Sequence, residues 1–166
     1  LSLHVASYQY RRSWQKNHAS RPLTLDGIDR IEVIQSLPFT LTRDQEQAIS
    51  EVFADLEKPI AMNRLLVGDV GSGKTVVAAL AMYAAFRNGA SSVMMAPTQI
   101  LAEQHYKTLT ELFGPLGIPV DIMTAERKTV STHKTQKSFD SLRREPILVV
   151  GTHAILKNRE AIRNLG

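Results

Sequence analysis

The sequence predicts an α/β protein with a parallel β-sheet of about four or five strands, covered by helices on both faces. Four short apolar runs without polar alternation predict the strands, at residues 64–67, 92–96, 120–123 and 147–150. Stretches with helical periodicity alternate with these runs, at residues 42–56, 76–86 and 100–113. Strands buried on both faces form continuous apolar runs, and parallel neighbours need helical connections between them. The pattern therefore favours a parallel sheet over an antiparallel one.

Composition restricts the class of protein further. The chain has 166 residues, 43% hydrophobic and 22% charged, which is typical of one soluble globular domain. It contains no cysteine, which excludes disulfides and thiolate metal sites. No apolar run approaches the ~18 residues that a membrane span needs. We therefore expect a cytoplasmic, monomeric protein with no membrane contact.

Positive charge is concentrated near the C-terminus. Residues 124–166 carry nine lysines and arginines against four acidic residues, within a net charge of +4 for the chain. A basic region suits a polyanion, because neutralising phosphates releases counterions. A solvated helix face has the same composition, and charge alone favours that reading.

The N-terminal part differs from the rest. Residues 3–17 are predicted to form a helix, in which Tyr10 and Trp14 lie on one packed stripe. Residues 17–27 are polar and read as a linker, and the compact core is expected to start near Leu37 or Pro38. We therefore divide the chain into an N-terminal helix and linker, residues 1–36, and a functional domain, residues 37–166.

A glycine-rich sequence carries the most specific signal. Residues 68–75 read GDVGSGKT and satisfy the pattern G-x-x-x-x-G-K-[ST] in full, between a predicted strand and a predicted helix. Glycines let backbone N–H groups approach phosphates closely, and the following helix start adds partial positive charge. Lys74 is expected to reach the β- and γ-phosphates, and Thr75 to ligate Mg²⁺. A chance glycine-rich turn is the alternative. The predicted nucleotide contacts are Gly68, Asp69, Val70, Gly71, Ser72, Gly73, Lys74 and Thr75.

Three further motifs decide between the many classes of phosphate-loop protein. They read LPFTLTRDQ at residues 37–45, MAPTQILAEQHY at residues 95–106 and ILVVGTHAIL at residues 147–156. Together with MNRLLVGDVGSGKT at residues 62–75, they resemble the RecG helicases of superfamily 2 in order and spacing. The resemblance covers residues 37–166. It implies a RecA-like motor lobe that binds ATP and Mg²⁺ and moves along DNA.

The first motif resembles the Q motif of these helicases. There a glutamine hydrogen-bonds the adenine edge and an upstream aromatic residue packs on the base, which corresponds to Gln45 and Phe39. A structural reading competes, because Thr42 and Gln45 have the spacing of a capping box at a helix start. Both roles can hold at once.

The other two motifs resemble segments that lie along DNA in these motors. Thr98 also has the position of an ordinary helix cap, and a single histidine is usually a structural or surface residue. The family usually has Thr-Gly after the third strand, whereas this chain has Thr124 and Ala125, which puts close backbone approach to a phosphate in doubt. The resemblance implies DNA contacts at Pro97, Thr98, Gln104, His105, Thr124, Thr152 and His153.

The carboxylates that hydrolysis needs are not recognisable in this sequence. The family pattern is D-E-x-H, and no two of the sixteen acidic residues are adjacent. The resemblance implies that this motif and a second motor lobe lie beyond Gly166. We therefore expect the parent protein to be an ATP-dependent helicase that remodels branched DNA or stalled forks in repair and recombination. This chain alone is expected to hydrolyse little ATP.

Other functions remain open on the sequence. The transcription-repair coupling translocases have a similar motor, but a tyrosine would be expected at Ser72 and VPTT in place of APTQ. A phosphate-loop enzyme that never contacts DNA, or a short ATP-binding module without catalysis, would share residues 68–75. Salt-sensitive binding of single-stranded DNA would argue against the enzyme that never contacts DNA. An in-frame strand ending in Asp-Glu downstream of codon 166 would argue against the short module, which an immediate stop codon would support.

Overall fold

The computed structural model describes residues 19–124, 146–157, 162 and 164–166. The predicted helix at residues 3–17 lies outside this part. The elements, in chain order, are α1 (Gly27–Gln35), α2 (Arg43–Leu56), α3 (Lys74–Arg87), β1 (Ser92–Met95), α4 (Gln99–Phe113), β2 (Val120–Met123), β3 (Leu148–Gly151) and α5 (Ala154–Lys157). Helices α2, α3 and α4 and strands β1, β2 and β3 match predicted elements to within two residues at each end.

The three described strands form a parallel sheet in the order β1-β3-β2. Met95 and Met123 are both in register with Gly151, so the carboxyl ends of all three strands lie at one edge. Gly151 is required there, because a Cβ atom at this position would lie 1.9 Å from the carbonyl oxygen of Met123. Parallel sheets place ligands at the carboxyl edge, which is where the predicted motifs converge.

Side-chain caps fix where the helices begin. Thr42 and Gln45 form the predicted capping box at α2, in which each side chain bonds the other residue's backbone N–H. Asp26 caps α1 through the backbone N–H of Asp29, and Thr98 caps α4 through that of Leu101. Such caps satisfy donors that the first helical turn leaves free, and each contributes roughly 1 kcal/mol.

Helix α3 lies at the centre of the core. It packs against both α2 and β1, while α4 packs against β2 and β3. Leu80 and Tyr83 of α3 are fully buried, and the Tyr83 ring stacks on Phe113 of α4 with centroids 6.2 Å apart. Burying one large apolar side chain contributes about 1.5–3 kcal/mol, so this central helix fixes the position of the loop that precedes it.

Helix α1 was not assigned from the sequence and belongs to the same core. Leu25 and Val33 are buried in the apolar cluster that surrounds α3. Asp29 forms an ion pair with Arg87, at the end of α3, and Arg30 forms one with Glu57. Packing in the described part therefore extends N-terminal of Leu37, where the sequence placed the start of the compact core.

The predicted strand at residues 64–67 was wrong for this structure, in which these residues form no strand. Leu66 packs on the core, but Leu65 and Val67 are 86% and 81% exposed. A β-strand needs a neighbour that completes its backbone hydrogen bonds, and none of the three described strands pairs with this segment. Of Leu65, Leu66 and Val67, only Leu66 is partly buried, so the apolar run predicted burial at one of these three positions.

No helix among the described residues is long and apolar enough to span a bilayer.

Candidate nucleotide-binding site

The glycine-rich loop, residues 68–75, leads directly into α3. Gly71 and Gly73 both have φ of +82°, in the left-handed region that favours glycine. Gly73 is the N-cap of α3, and no side chain caps this helix start. The backbone N–H of Val76 donates to the carbonyl oxygen of Gly73 at 3.0 Å, but no described hydrogen bond takes those of Lys74 and Thr75, which an external acceptor can use. The helix dipole adds partial positive charge at the same point. The loop fits a bound phosphate group.

Lys74 is held inside the loop by oxygen atoms of the loop itself. Its Nζ donates to the carbonyl oxygens of Gly68 and Asp69 at 2.7 and 2.5 Å, and lies 3.4 Å from Oγ of Ser72. An ammonium group surrounded by neutral oxygens retains its charge for a stronger, anionic acceptor. The loop therefore places a positive charge beside an uncapped helix start.

Gln45 connects α2 to the loop. Its Oε1 accepts from the backbone N–H of Thr42 at 2.9 Å, and its Nε2 donates to the carbonyl oxygen of Ser72 at 2.9 Å. Gly73 permits this approach, because a Cβ atom there would lie 2.2 Å from Nε2. The capping role of Gln45 is thus observed, together with a bond to the loop that the sequence did not indicate.

The remaining predicted nucleotide contacts differ in exposure. Phe39 is 46% exposed ahead of α2, and none of the described contacts joins it to the loop. Asp69, Val70 and Ser72 are exposed, whereas Thr75 is half-buried at the start of α3. Residues 68–73 form one continuous turn and Lys74 and Thr75 begin α3, and the structure brings Gln45 to this turn but not Phe39.

The predicted DNA contacts cluster at the carboxyl edge of the sheet. Thr98 follows β1 and Thr152 follows β3, whose ends are held together by the bond from the Ala96 N–H to the carbonyl oxygen of Gly151, 2.8 Å. Pro97, Thr98 and His153 are exposed. Thr152 is half-buried, and its backbone N–H donates to the carbonyl oxygen of Met123. The edge therefore presents polar groups from two strand ends to solvent.

Two other predicted DNA contacts lie further along α4, and a third, Thr124, is buried. Gln104 is exposed and His105 is half-buried, in the second turn of α4. Thr124 follows β2 at the same edge but is 2% exposed. Its side chain is packed inside the molecule, so the expected contact with DNA does not fit this position of Thr124.

Sequence reasoning missed the ion pairs ahead of the loop. Arg64 bonds two carboxylates of α2, those of Glu51 and Asp55. We call these three residues the Arg64 cluster. The four-residue spacing of Glu51 and Asp55 places them on one helix face, which the sequence does show. Their partner could not be identified without the fold.

No group of three His, Asp or Glu side chains in the described part of the chain is close enough to hold a metal ion. A hydroxyl group that ligates Mg²⁺ does so jointly with phosphate oxygens, so a preformed carboxylate cage is not required for such a site.

The family model for DEAD/DEAH box helicases matches residues 42–166. The chain therefore belongs to the DEAD/DEAH box helicase family. Within that family its similarity is to the RecG helicases. It is 41% identical to "ATP-dependent DNA helicase RecG" of Aquifex aeolicus and 44% identical to that of Synechocystis, over 81% and 78% of this chain. These relatives favour the RecG resemblance over the transcription-repair coupling translocases.

The solved structures agree with this assignment. "Structure of RecG bound to three-way DNA junction" superimposes with a TM-score of 0.80 at 38% identity, over 96% of this chain. A hypothetical ATP-dependent RNA helicase from Sulfolobus tokodaii has a TM-score of 0.55 at 19% identity over 82% of this chain and 38% of that one, which supports the fold alone. The predicted α/β, RecA-like fold and the RecG resemblance are confirmed. The chain spans 17% and 15% of the two curated relatives and 22% of the RecG structure.

Proposed function

We propose that residues 68–75 bind the phosphates of ATP together with Mg²⁺. The observation that carries the proposal is Lys74, whose ammonium group lies among loop oxygens beside an uncapped start of α3. On binding, Lys74 exchanges these neutral acceptors for phosphate oxygens, which form stronger bonds with a cation. The Thr75 hydroxyl is the proposed Mg²⁺ ligand. Mg²⁺, when bound, neutralises phosphate charge.

Adenine recognition is proposed for Gln45 and Phe39. Gln45 already bonds the loop, so it is close to any nucleotide held there. Its carboxamide uses one donor and one acceptor within the protein and retains a second N–H and a second lone pair for the base. Phe39 offers an exposed ring that could pack on adenine after a local movement. Selectivity for adenine over guanine is the expected consequence.

The carboxyl edge of the sheet is the proposed DNA track. Pro97, Thr98 and His153 are exposed there, and Thr152 is half-buried beside them. Hydroxyl, imidazole and backbone N–H groups contact phosphates without reading bases, as a translocating motor requires. Gln104 and His105 extend this surface along α4. Thr124 is omitted because its side chain is buried.

The parent protein is proposed to be an ATP-driven DNA helicase that remodels branched DNA or stalled forks in recombination and repair. The RecG relatives, one of them bound to a three-way DNA junction, support this substrate class. Residues 37–166 are proposed as its ATP-binding lobe, acting as a monomer in the cytoplasm. Because no two acidic residues of this chain are adjacent, the chain alone is expected to hydrolyse little ATP.

Titration with a fluorescent ATP analogue and Mg²⁺ tests the proposal. Lys74→Ala removes charge-assisted bonds worth about 1.5–3 kcal/mol each, so Kd should rise roughly tenfold or more. Gln45→Ala should weaken ATP binding and reduce its advantage over GTP. Salt-sensitive binding of single-stranded DNA, weakened by His153→Ala, is expected for the proposed track. Unchanged ATP binding in both nucleotide-site variants would refute the assignment.

A further inference from the structure

No described strand pairs with the segment that leads into the phosphate loop, residues 62–67. Residues 62–67 form no backbone–backbone hydrogen bond with any described residue. Met62 and Leu66 pack on the core, whereas Leu65 and Val67 are exposed. Side chains, rather than a hydrogen-bonded ladder, therefore hold this segment in the described part of the chain. The segment ends at Gly68, so its position sets where the loop begins.

The Arg64 cluster supplies most of the polar attachment. The guanidinium group donates from Nε and Nη2 to Oδ2 of Asp55 at 2.9 and 2.6 Å, and from Nη1 to Oε2 of Glu51 at 2.7 Å. Glu51 and Asp55 lie one turn apart on α2, so the planar guanidinium spans both. Three bonds from one side chain fix the segment in direction as well as in distance.

Charge supports the attachment. The pKa of Glu51 is lowered by hydrogen bonds from Gln47 and Arg64, and that of Asp55 by hydrogen bonds from Lys58 and Arg64. Both carboxylates are therefore ionised at neutral pH. Isolated exposed ion pairs contribute little, but networks with forked arginine geometry are the exception. The Arg64 side chain is 30% exposed, so solvent screens it only in part.

The same helix also contacts the far side of the loop. Gln45, in the first turn of α2, donates to the carbonyl oxygen of Ser72 at 2.9 Å. The Arg64 cluster lies six to ten residues further along α2, which corresponds to about 9–15 Å at 1.5 Å per residue. Helix α2 is thus bonded to the chain before Gly68 and again at Ser72. Between these two attachments lies most of the glycine-rich turn.

We propose that Arg64 is a positioning residue for nucleotide binding, which fixes the phosphate loop on α2 before the nucleotide arrives. Arg64 is not proposed to contact the phosphates, because its guanidinium group bonds Glu51 and Asp55 and it lies four positions before Gly68, a span of up to about 13 Å in extended chain. Fixing the loop in advance reduces the conformational entropy that binding must overcome. The inference rests on the proposed function of residues 68–75. It adds a residue that lies outside the glycine-rich motif.

The test compares two arginines that both pair with carboxylates near the end of α2. Arg64→Met keeps the apolar stem and removes the bonds, and should raise the Kd for a fluorescent ATP analogue with Mg²⁺ about tenfold. Arg30→Met is the control, because Arg30 pairs with Glu57 at similar exposure and its other described contacts, the carbonyl oxygen of Leu25 and the ring of Phe53, lie outside the segment before the loop. Arg30→Met should change the Kd by less than about twofold. Both variants are expected to lower Tm.

A variant cycle separates positioning from general stability. Replacing both Glu51→Gln and Asp55→Asn should raise the Kd as Arg64→Met does, and adding Arg64→Met to that pair should cause no further loss. Arg64→Lys, which retains the charge but not the fork, should recover part of the affinity. It also serves as the test if Arg64→Met fails to fold.

Three results would overturn the inference, and they are distinguishable. If Lys74→Ala weakens ATP binding while Arg64→Met and Arg64→Lys leave it unchanged, the loop is the site but Arg64 does not position it. If Lys74→Ala leaves the Kd for ATP unchanged, the proposed function is wrong and the inference is wrong with it. An equal change of Kd in Arg64→Met and Arg30→Met would assign the effect to stability alone, which also contradicts positioning.

Discussion

Replacing Gly73 with alanine should destabilise the folded chain more than the same change at Gly71. Both residues have φ of +82°, so each alanine incurs a backbone cost of roughly 1–2 kcal/mol in the left-handed region. At Gly71 nothing lies within 4 Å of the added Cβ atom, and this cost is the whole expected effect. The two glycines therefore provide an internal comparison.

At Gly73 the added Cβ atom would also lie 2.2 Å from Nε2 of Gln45. The flexible glutamine must move away, which breaks its bond to the carbonyl oxygen of Ser72. Such a bond contributes about 0.5–1.5 kcal/mol net. Gly73→Ala is therefore expected to lower the free energy of unfolding by about 1.5–3.5 kcal/mol, against roughly 1–2 kcal/mol for Gly71→Ala.

Urea unfolding of both variants, alone and combined with Gln45→Ala, measures these differences. In the Gln45→Ala background the two alanine variants should become equally destabilising, because the contact that distinguishes them is gone. Equal effects in the wild-type background would refute the reasoning. That result would mean that the bond between Gln45 and the loop adds nothing to stability.

Three further predictions concern the rest of the described lobe. Thr98→Ala should lower stability by about 1 kcal/mol through loss of the α4 cap and should also weaken single-stranded DNA binding, measured by unfolding and by fluorescence anisotropy. Leu109→Ala should cost about 2–5 kcal/mol in urea unfolding, because Leu109 is fully buried. Because the pKa values of Glu51 and Asp55 are lowered in the folded chain, their ionised carboxylates stabilise the fold at a pH above their ordinary pKa values of 4.5 and 3.8. This stabilisation is lost as the pH falls through the lowered pKa values. The difference in free energy of unfolding between wild type and Arg64→Met should therefore shrink below about pH 4. A difference that does not change with pH would contradict this prediction.

Several elements were predictable because local signals agree with the fold. Helix α2 has a capping box and one apolar face, and β2 was predicted with its observed bounds because Val120, Ile122 and Met123 form a short apolar stretch around Asp121. The glycine-rich loop was predicted from its residues because only certain residue types fit that turn. In each case the signal lies within a few residues of the feature.

The misses arise where tertiary context decides. Helix α1 exposes the apolar stripe of Ile28, Ile31 and Ile34 and buries Val33, which lies off that stripe, so periodicity does not indicate the face that packs on the core. Residues 64–67 have strand composition, yet a strand also needs a neighbour. The Arg64 cluster joins residues nine and thirteen positions apart, and no sequence rule assigns such partners.

Residues 68–75 are proposed to hold the phosphates of ATP. The most direct test is a two-dimensional ¹H–¹⁵N NMR spectrum of this chain, recorded while an ATP analogue and Mg²⁺ are added. We expect the largest changes of amide chemical shift between Gly68 and Thr75 and a smaller change at Gln45. Lys74→Ala should abolish these changes. Large shifts confined to other residues, or shifts that persist in Lys74→Ala, would contradict it.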